Sequence, residues 1–299
     1  MRVVSGLDPR VNAFRSDLAD QELRSTVVAE RYVRPILRQC ARGIVPLLRA
    51  PDPDAPRVSE IRYGEFVDVF EERPDGFAWI QNRADRYVGY LPNASESLSE
   101  EVGPLERRIS ALHTLVYSEP NVTSPPRDSL TLGSYVRSGQ AVQGFIALSS
   151  GGYVAASDVV PSEALLEPDY VLTAGRLLGV PYLWGGRTPL GIDCSGLLQL
   201  VLDLAGLEAP RDSDQQRALF GHPLEGAWSE TIWQRGDLLF FKENHVGIMT
   251  DREHLLHANG FDKHVVVRPL AEVMERGLTL LAAGRPRALW EEEGNLQVP

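Results

Sequence analysis

Cysteine is scarce in this chain, which holds only Cys40 and Cys194 among its 299 residues. Two cysteines are too few for the disulfide framework that holds small secreted domains together. The count permits a single Cys40–Cys194 bridge, but no other feature of the sequence supports one. We therefore expect reduced thiols, as in a cytoplasmic protein.

Long apolar runs are also missing. The N-terminal stretch MRVVSGLDPRVNAFRSDLADQELR carries charges that interrupt any hydrophobic region of a secretion signal. No stretch reaches the roughly 18 apolar residues that a membrane span needs, and no lipidation motif is present. The sequence thus predicts a cytoplasmic location and no membrane partner.

Positive charge is in deficit, with 30 Lys and Arg against 41 Asp and Glu and a net charge of −11. A broad electrostatic contact with the phosphates of nucleic acid needs the opposite balance. We expect no nucleic-acid partner. The chain also lacks the HExxH and paired-cysteine spacings of metal sites, so we expect neither a metal nor a cofactor, while the oligomeric state is left open.

The hydrophobic fraction of 43% and the charged fraction of 24% are those of a globular protein, and the length suggests about two domains. Residues 1–38 are polar, with a predicted helix near 20–33, and are too short to bury a core of their own. Short β-like runs separated by turn residues fill 39–100 and predict a small barrel. A weaker copy of that pattern over 101–160 predicts a second barrel.

The remaining residues, 161–299, have a different texture. A linker is followed by a predicted helix over Tyr170–Leu178 and by a Gly-rich loop. A second, amphipathic helix begins near Cys194 and stops at Gly206. The runs DLLFF, HVGIMT and HLLHANG then read as strands, so this part is predicted to be α+β, with a helix beside an antiparallel sheet.

Nucleophilic chemistry is indicated by Cys194 at the first turn of this helix, where unpaired N–H groups favour a thiolate. A nucleophilic cysteine needs a base. His245 and His257 flank a hairpin turn at Asp251-Arg252, and equal spacing from that turn predicts a cross-strand pair. One imidazole can accept the thiol proton while the other orients it.

Five blocks in this order, YLWGGRTPLGIDCSGLLQ, PRDSDQQ, GDLLFF, HVGI and HANG, closely resemble the NlpC-type family of papain-like cysteine peptidases. The resemblance covers about 168–290 and implies an α+β, papain-like catalytic domain preceded by two small SH3-like β-barrels. The implied domains are an N-terminal arm (1–38), two bacterial SH3-like domains (39–100 and 101–160) and the peptidase (161–299).

The same resemblance implies the roles of the site residues. Cys194 is the nucleophile, His245 the base, His257 the orienting residue, and Tyr182 supplements the oxyanion hole. The substrate-binding residues implied by the family are Ser195 and Ser213 for the carboxylate of D-glutamate, Asp212 for the substrate ammonium, Tyr87 closing the site beyond it, and Glu60 assisting Tyr87.

The branch that this chain resembles cuts murein tri- and tetrapeptides after γ-D-glutamate and releases L-Ala-γ-D-Glu during recycling. Three other hypotheses stay open: a secreted endopeptidase on intact wall, a wall-binding protein with a dead catalytic fold, and an amidase or acyl transferase.

Several residues also have simpler interpretations. Asp212 is also typical of a helix N-cap, Tyr87 of a plain barrel residue and Cys40 of a core position; His245, His254, His257 and Asp251 could form a zinc site.

Overall fold

The computed structural model describes residues 6–164, 166–223 and 227–286. It divides into two compact units, 1–164 and 165–299, where the sequence predicted a boundary after residue 160. Residue 165 of the predicted linker, and the outer ends of the predicted arm and peptidase domain, lie outside the described residues.

The arm is not helical, so the helix predicted near 20–33 is wrong. Two short strands, β1 (Leu18–Asp20) and β2 (Arg31–Val33), pair in parallel and are joined through a single 3-10 turn at Gln21–Leu23. All three residues of β1 are buried, which suits a strand covered on both faces better than an amphipathic helix. As expected for a segment without its own core, Leu18 packs with Phe70 and Trp79 of the first barrel.

The first barrel is one antiparallel sheet in the order β5-β4-β8-β7-β6-β3-β9. Alternation of buried and less buried residues in β4 and β8 produces a single core face, which holds Leu47, Ile61 and Ile80. The elements are β3 (Ile36–Cys40), β4 (Ile44–Leu48), β5 (Arg57–Arg62), β6 (Phe66–Glu72), β7 (Ala78–Asn82), β8 (Val88–Leu91), α1 (Ala94–Ser97) and β9 (Leu98–Ser99).

Residues 107–161 form two smaller sheets, ordered β13-β10-β17 and β12-β11-β16-β15-β14. Both close over a second hydrophobic cluster that includes Ile109, Leu130 and Val154. Its strands are β10 (Arg107–Ile109), β11 (His113–Tyr117), β12 (Pro126–Thr131), β13 (Tyr135–Val136), β14 (Ser138–Val142), β15 (Phe145–Leu148), β16 (Tyr153–Ala155) and β17 (Val159–Pro161).

In the second unit a helix packs on a six-stranded antiparallel sheet, ordered β20-β25-β21-β22-β23-β24, which confirms the α+β class. The elements are α2 (Tyr170–Arg176), β18 (Arg187–Thr188), β19 (Gly191–Ile192), α3 (Cys194–Leu204), α4 (Ser213–Phe220), β20 (His222–Pro223), β21 (Leu238–Phe241), β22 (His245–Met249), β23 (His254–Asn259), β24 (His264–Pro269), α5 (Leu270–Glu275) and β25 (Leu280–Gly284).

Helix α3 begins and ends as its sequence predicts. Asp193 caps it by accepting a hydrogen bond from the Gly196 N–H at 2.7 Å, and Gly206 follows it with φ 78°. A Cβ at Gly196 would lie 2.2 Å from the carbonyl oxygen of Gly186, so only glycine lets the Gly-rich loop approach the helix this closely. Cys194 is thereby held at the first position of the helix.

Within the described ranges, no helix has the length and apolar character required to cross a membrane.

Candidate active site

The thiol of Cys194 lies against the backbone on both sides of His245. Its Sγ is 3.9 Å from the carbonyl oxygen of Asn244, and the N–H groups of Val246 and Ser195 are directed at the sulfur. Because α3 packs on β22, residues 51 positions apart along the chain meet here. The structure thus brings Cys194 and His245 together, as the sequence predicted.

The two imidazoles are hydrogen-bonded, with Nε2 of His245 2.8 Å from Nδ1 of His257. Their ring planes are inclined at 70°. The predicted register is wrong in detail, because β22 and β23 pair Ile248 with Leu256. This register makes the two histidines diagonal neighbours across the strands and not directly opposed ones. Long side chains on the same face of the sheet can still span the diagonal distance.

Two residues that the sequence reading missed hold His257 from the other side. Nδ2 of Asn259 is 3.1 Å from Nε2 of His257 and 3.0 Å from the carboxylate of Asp262. The Oδ1 of Asn259 accepts the backbone N–H of Asp262 at 2.7 Å, so this network assigns which end of the amide is nitrogen. Arg268 completes the chain with a 2.5 Å bond to Asp262. The HANG motif contained Asn259, but only tertiary contacts show what it does.

The amide of Asn259 determines the resting tautomer of the pair. Because its Nδ2 can only donate, Nε2 of His257 accepts, and the proton of a neutral His257 sits on Nδ1. His257 then donates to Nε2 of His245, so neutral His245 holds its proton on Nδ1, the nitrogen left for the thiol. His257 is thus bonded to His245, and its predicted role as the orienting residue stays a prediction. In this arrangement the proton on Nδ1 of His245 gives the tautomer opposite to the one that a base requires.

Burial keeps the thiol and both imidazoles neutral. Burial, aided by the Asp193 carboxylate, raises the pKa of Cys194 to about 12, although two N–H groups favour the thiolate. Burial lowers the pKa of His245 to about 3 and that of His257 to about 4. The N–H groups favour the thiolate as expected, but desolvation at this site outweighs them. The thiol is therefore neutral, and its proton must move when substrate binds.

We expect nitrogen NMR of the histidine side chains to show both imidazoles neutral at pH 6, with His257 protonated on Nδ1. A folded-state pKa this far below the unfolded value means that protonation favours unfolding. Stability should therefore fall as pH drops below about 6.5, the unfolded pKa of histidine, and go on falling until the folded pKa values near 3 to 4 are reached. Titration of either ring near pH 6.5 would contradict this assignment.

A charge-neutral exchange, Asn259→Asp with Asp262→Asn, provides the matched control. The double variant keeps one carboxylate and one amide in contact. The residue at position 259 then presents a carboxylate oxygen, which can only accept, to Nε2 of His257. The proton of His257 should then move from Nδ1 to Nε2. If the exchange leaves the tautomer unchanged, Asn259 does not set it.

A buried cation behind the nucleophile was also missed. Arg211, with 1% of its side chain exposed, donates to Asp193 at 2.7 Å and 3.0 Å and to the hydroxyl of Ser195 at 2.9 Å. Asp193 also accepts the N–H of Gly185 at 2.8 Å. This cluster ties the Gly-rich loop to the first turn of α3, and the PRDSDQQ block offered no local sign that its arginine would be buried.

Three further predicted residues lie in this unit. Burial raises the pKa of the Tyr182 phenol, and the Cys194 sulfur raises it further. Asp212 occupies the N-cap position of α4, yet its side chain does not cap that helix. Ser213 is the first residue of α4 and is buried. The N-cap position of Asp212 is therefore confirmed, and its role as a substrate ligand stays a prediction.

Tyr87 and Glu60 lie in the first unit. Tyr87 is buried and packs in the hydrophobic cluster of the first barrel, and Glu60 is buried and paired with Arg57. These positions agree with structural roles, and the substrate contacts implied for both residues stay predictions. Cys40 is buried in the same cluster and its thiol contacts the carbonyl of Arg42, so it is a core residue and forms no bridge with Cys194.

The zinc alternative has no geometric support. His245 and His257 bond to each other, whereas His254 is only partly buried and bonds to Asp251 at 3.0 Å. Over residues 6–164, 166–223 and 227–286, His, Cys, Asp and Glu side chains form no group of three suited to a metal ion.

Comparison with known proteins agrees with this geometry. Residues 179–281 match the NlpC/P60 family and residues 47–95 match the bacterial dipeptidyl-peptidase SH3 domain. The chain is 29% identical over 248 residues to dipeptidyl-peptidase 6 of Lysinibacillus sphaericus, across 76% of this chain and 89% of that protein. It is 33% identical over 132 residues to the γ-D-glutamyl-L-lysine dipeptidyl-peptidase of Bacillus subtilis strain 168, across 41% of this chain and 43% of the relative.

A solved structure shares the fold. The crystal structure of an NlpC/P60 family protein from Bacillus cereus ATCC 10987 matches with a TM-score of 0.66 and 17% identity, over 83% of this chain and 99% of its own. The chain therefore carries an NlpC/P60 domain with a cysteine and two histidines, preceded by a bacterial dipeptidyl-peptidase SH3 domain, and it is a cysteine peptidase.

Proposed function

We propose that this peptidase hydrolyses the bond between γ-D-glutamate and the following L-diamino acid in free murein tri- and tetrapeptides. The substrate has an unblocked N-terminal L-alanine, and the product is L-Ala-γ-D-Glu, released in the cytoplasm during recycling of wall peptides. The observation that carries the proposal is the meeting of Cys194 with the hydrogen-bonded imidazoles of His245 and His257. Asp212 follows the nucleophile by 18 residues, at the start of α4. A relative named for γ-D-glutamyl-L-lysine cleavage supports the bond class.

The chemistry starts with transfer of the Cys194 proton to His245. The sulfur then attacks the γ-carbonyl of D-glutamate, and the oxyanion that forms is met by N–H groups at the start of α3 and by the Tyr182 hydroxyl. The imidazolium of His245 returns its proton to the leaving amine, and water hydrolyses the thioester. The first step needs an unprotonated Nδ1 on His245. The proton between the two imidazoles must therefore shift, when substrate enters, from Nδ1 of His257 to Nε2 of His245.

Recognition of the acyl part rests on charge. Ser195 and Ser213 are proposed to meet the α-carboxylate of D-glutamate, and the buried guanidinium of Arg211 lies directly behind Ser195. Asp212 is proposed to pair with the alanine ammonium, because a cation taken out of water is costly unless it is paired. Tyr87 would close the site beyond that ammonium, with Glu60 assisting.

Acetylation of the alanine nitrogen tests this proposal. It removes the positive charge and should cost at least ~2 kcal/mol in transition-state binding, about thirtyfold in kcat/KM. Asp212→Asn should lose most activity on the free tripeptide L-Ala-γ-D-Glu-L-Lys and narrow the difference between free and acetylated peptides. Equal cleavage of both peptides by the wild type would show an open groove.

An endopeptidase acting on intact wall is the second candidate. It is favoured by relatives named probable endopeptidases, such as one from Haemophilus influenzae that is 37% identical over 84 residues. Incubation with purified sacculi, followed by mass spectrometry, separates the two functions. We expect release of fragments from the tripeptide and none from sacculi, and fractionation of native cells should place the protein in the cytoplasm.

The two histidines should differ in their contribution to catalysis. His245→Ala removes the proton acceptor and should lower kcat/KM by about 10²- to 10⁴-fold. His257→Asn keeps a hydrogen-bonding partner for Nε2 of His245 and should cost less. Steady-state kinetics on the tripeptide measures both, and the reverse order would exchange the two roles.

A further inference from the structure

A cavity of about 240 Å³ lies against the imidazole pair. Its lining includes both histidines, Glu243, Phe261, Arg276 and Leu278. Neither Cys194 nor Tyr182 is among its lining residues, and no residue of the acyl-binding set described above borders it. His245 delivers the proton to the leaving amine, so a space against His245 and His257 suits the part of the substrate that leaves.

The charges around this cavity are balanced except at one point. Asp262 is bonded by Arg268 at 2.5 Å, and Arg276 is paired with Glu272 and lies 3.5 Å from Asp262. Glu243 forms no salt bridge with any described residue, although the charge of the adjacent Lys242 also favours its ionised form. The cavity lining therefore presents one carboxylate that no salt bridge engages.

Glu243 is also held in place. It lies in the turn between β21 and β22, two residues before His245, and its carboxylate accepts the N–H of Thr279 at 3.0 Å. The backbone of Lys242 bonds to the carbonyl of the same Thr279 at 2.8 Å. The N–H of Thr279 lowers the pKa of Glu243, which keeps the carboxylate ionised at neutral pH.

The rest of the cavity suits an alkyl chain. Val273 and Leu278 supply apolar wall, and the exposed ring of Phe261 is steadied by the guanidinium of Arg276, 4.3 Å above its centre. A ligand that fits both features has a flexible aliphatic chain ending in a cation. A lysine-type side chain has this chemistry, because its methylenes can lie along apolar surface while the ammonium stays near water.

We propose that this cavity binds the side chain of the residue after the scissile bond and that Glu243 pairs with its terminal ammonium. The inference rests on the proposed function, since it assumes cleavage before a diamino acid. Beyond that function, the inference assigns to Glu243 the selection of a positively charged side chain on the leaving group. Because Glu243 is exposed, the pair acts through partly screened Coulomb attraction, and the selectivity should be moderate and sensitive to salt.

The test compares L-Ala-γ-D-Glu-L-Lys with the same peptide carrying L-norleucine, which keeps the alkyl chain and lacks the ammonium. The wild type should favour the lysine peptide by at least about fivefold in kcat/KM at low salt, and the ratio should shrink at 0.5 M salt. Glu243→Gln should bring the ratio close to one. Glu243→Lys should reverse the charge preference and favour a peptide with L-glutamate at the third position.

Glu275→Gln is the matched control, because it removes an exposed carboxylate on α5 that does not line the cavity. Its lysine-to-norleucine ratio should equal that of the wild type. Equal cleavage of both peptides by the wild type, or an equal loss of selectivity in both variants, overturns the role of Glu243 and leaves the proposed function intact. No cleavage of either peptide overturns the proposed function and this inference together.

Discussion

Cys194→Ala should lower kcat/KM on the free tripeptide by about 10⁴-fold or more, as the loss of a nucleophile does in enzymes whose catalytic residues act as a unit. Cys194 is the cysteine whose sulfur lies against the backbone beside His245. Of the chain's two cysteines, Cys40 is the other, and it lies in the core of the first barrel. The variant should remain folded, because alanine is the best helix former and the change removes one atom at the first position of α3.

The measurement pairs steady-state kinetics with thermal unfolding of the same sample. Cys40→Ala is the control, since it removes an equally buried thiol that takes no part in the reaction. It should keep full activity and lose roughly 1 kcal/mol of stability from the small void left in the barrel. Iodoacetamide should inactivate the wild type by labelling Cys194. Substantial activity in the Cys194→Ala variant would show that another residue is the nucleophile.

Arg211→Met should be the most damaging change to the stability of the catalytic unit. It leaves the Asp193 carboxylate buried and without its guanidinium partner, which costs about 3–5 kcal/mol in such pairs. With roughly 2–4 °C lost per kcal/mol, the midpoint of thermal unfolding should fall by about 10 °C. Activity should fall as well, because Asp193 joins the Gly-rich loop to the first turn of α3 and Arg211 supports Ser195.

Arg235→Met supplies the contrast. Arg235 pairs with Asp169 at 2.7 Å, but both side chains are partly exposed, and surface pairs are worth about 0–1 kcal/mol. Its unfolding midpoint should therefore shift by only a few degrees. Adding Asp193→Asn to Arg211→Met should recover part of the lost stability by removing the unpaired charge while keeping an oxygen to cap α3. Equal destabilisation by both arginine variants would show that Arg211 is not buried in solution.

Local patterns were sufficient for much of the catalytic unit. The apolar spacing after Cys194 and the glycine at 206 predicted helix α3, and the three hydrophobic runs predicted β21, β22 and β23. Such elements follow from the periodicity of neighbouring residues, which the chain displays directly. Cys194 and His245 could be identified for the same reason, since each occurs within a distinctive block. The helix predicted in the arm was wrong because the spacing of its few apolar residues resembles that of a helix. Burial against the first barrel stabilises strands there instead.

What the sequence determined by itself was therefore the order of elements in the catalytic unit and the cysteine and histidine that the fold brings together, for which it predicts the roles of nucleophile and base. Tertiary structure decided the properties that depend on residues far apart in the chain. Arg211 becomes the partner of Asp193, Asn259 and Asp262 set the proton position on His257, and burial rather than the helix N-terminus decides the pKa of Cys194. The physical reason is that a residue's charge, tautomer and pairing depend on desolvation and on nearby donors, and these exist only once the chain has folded.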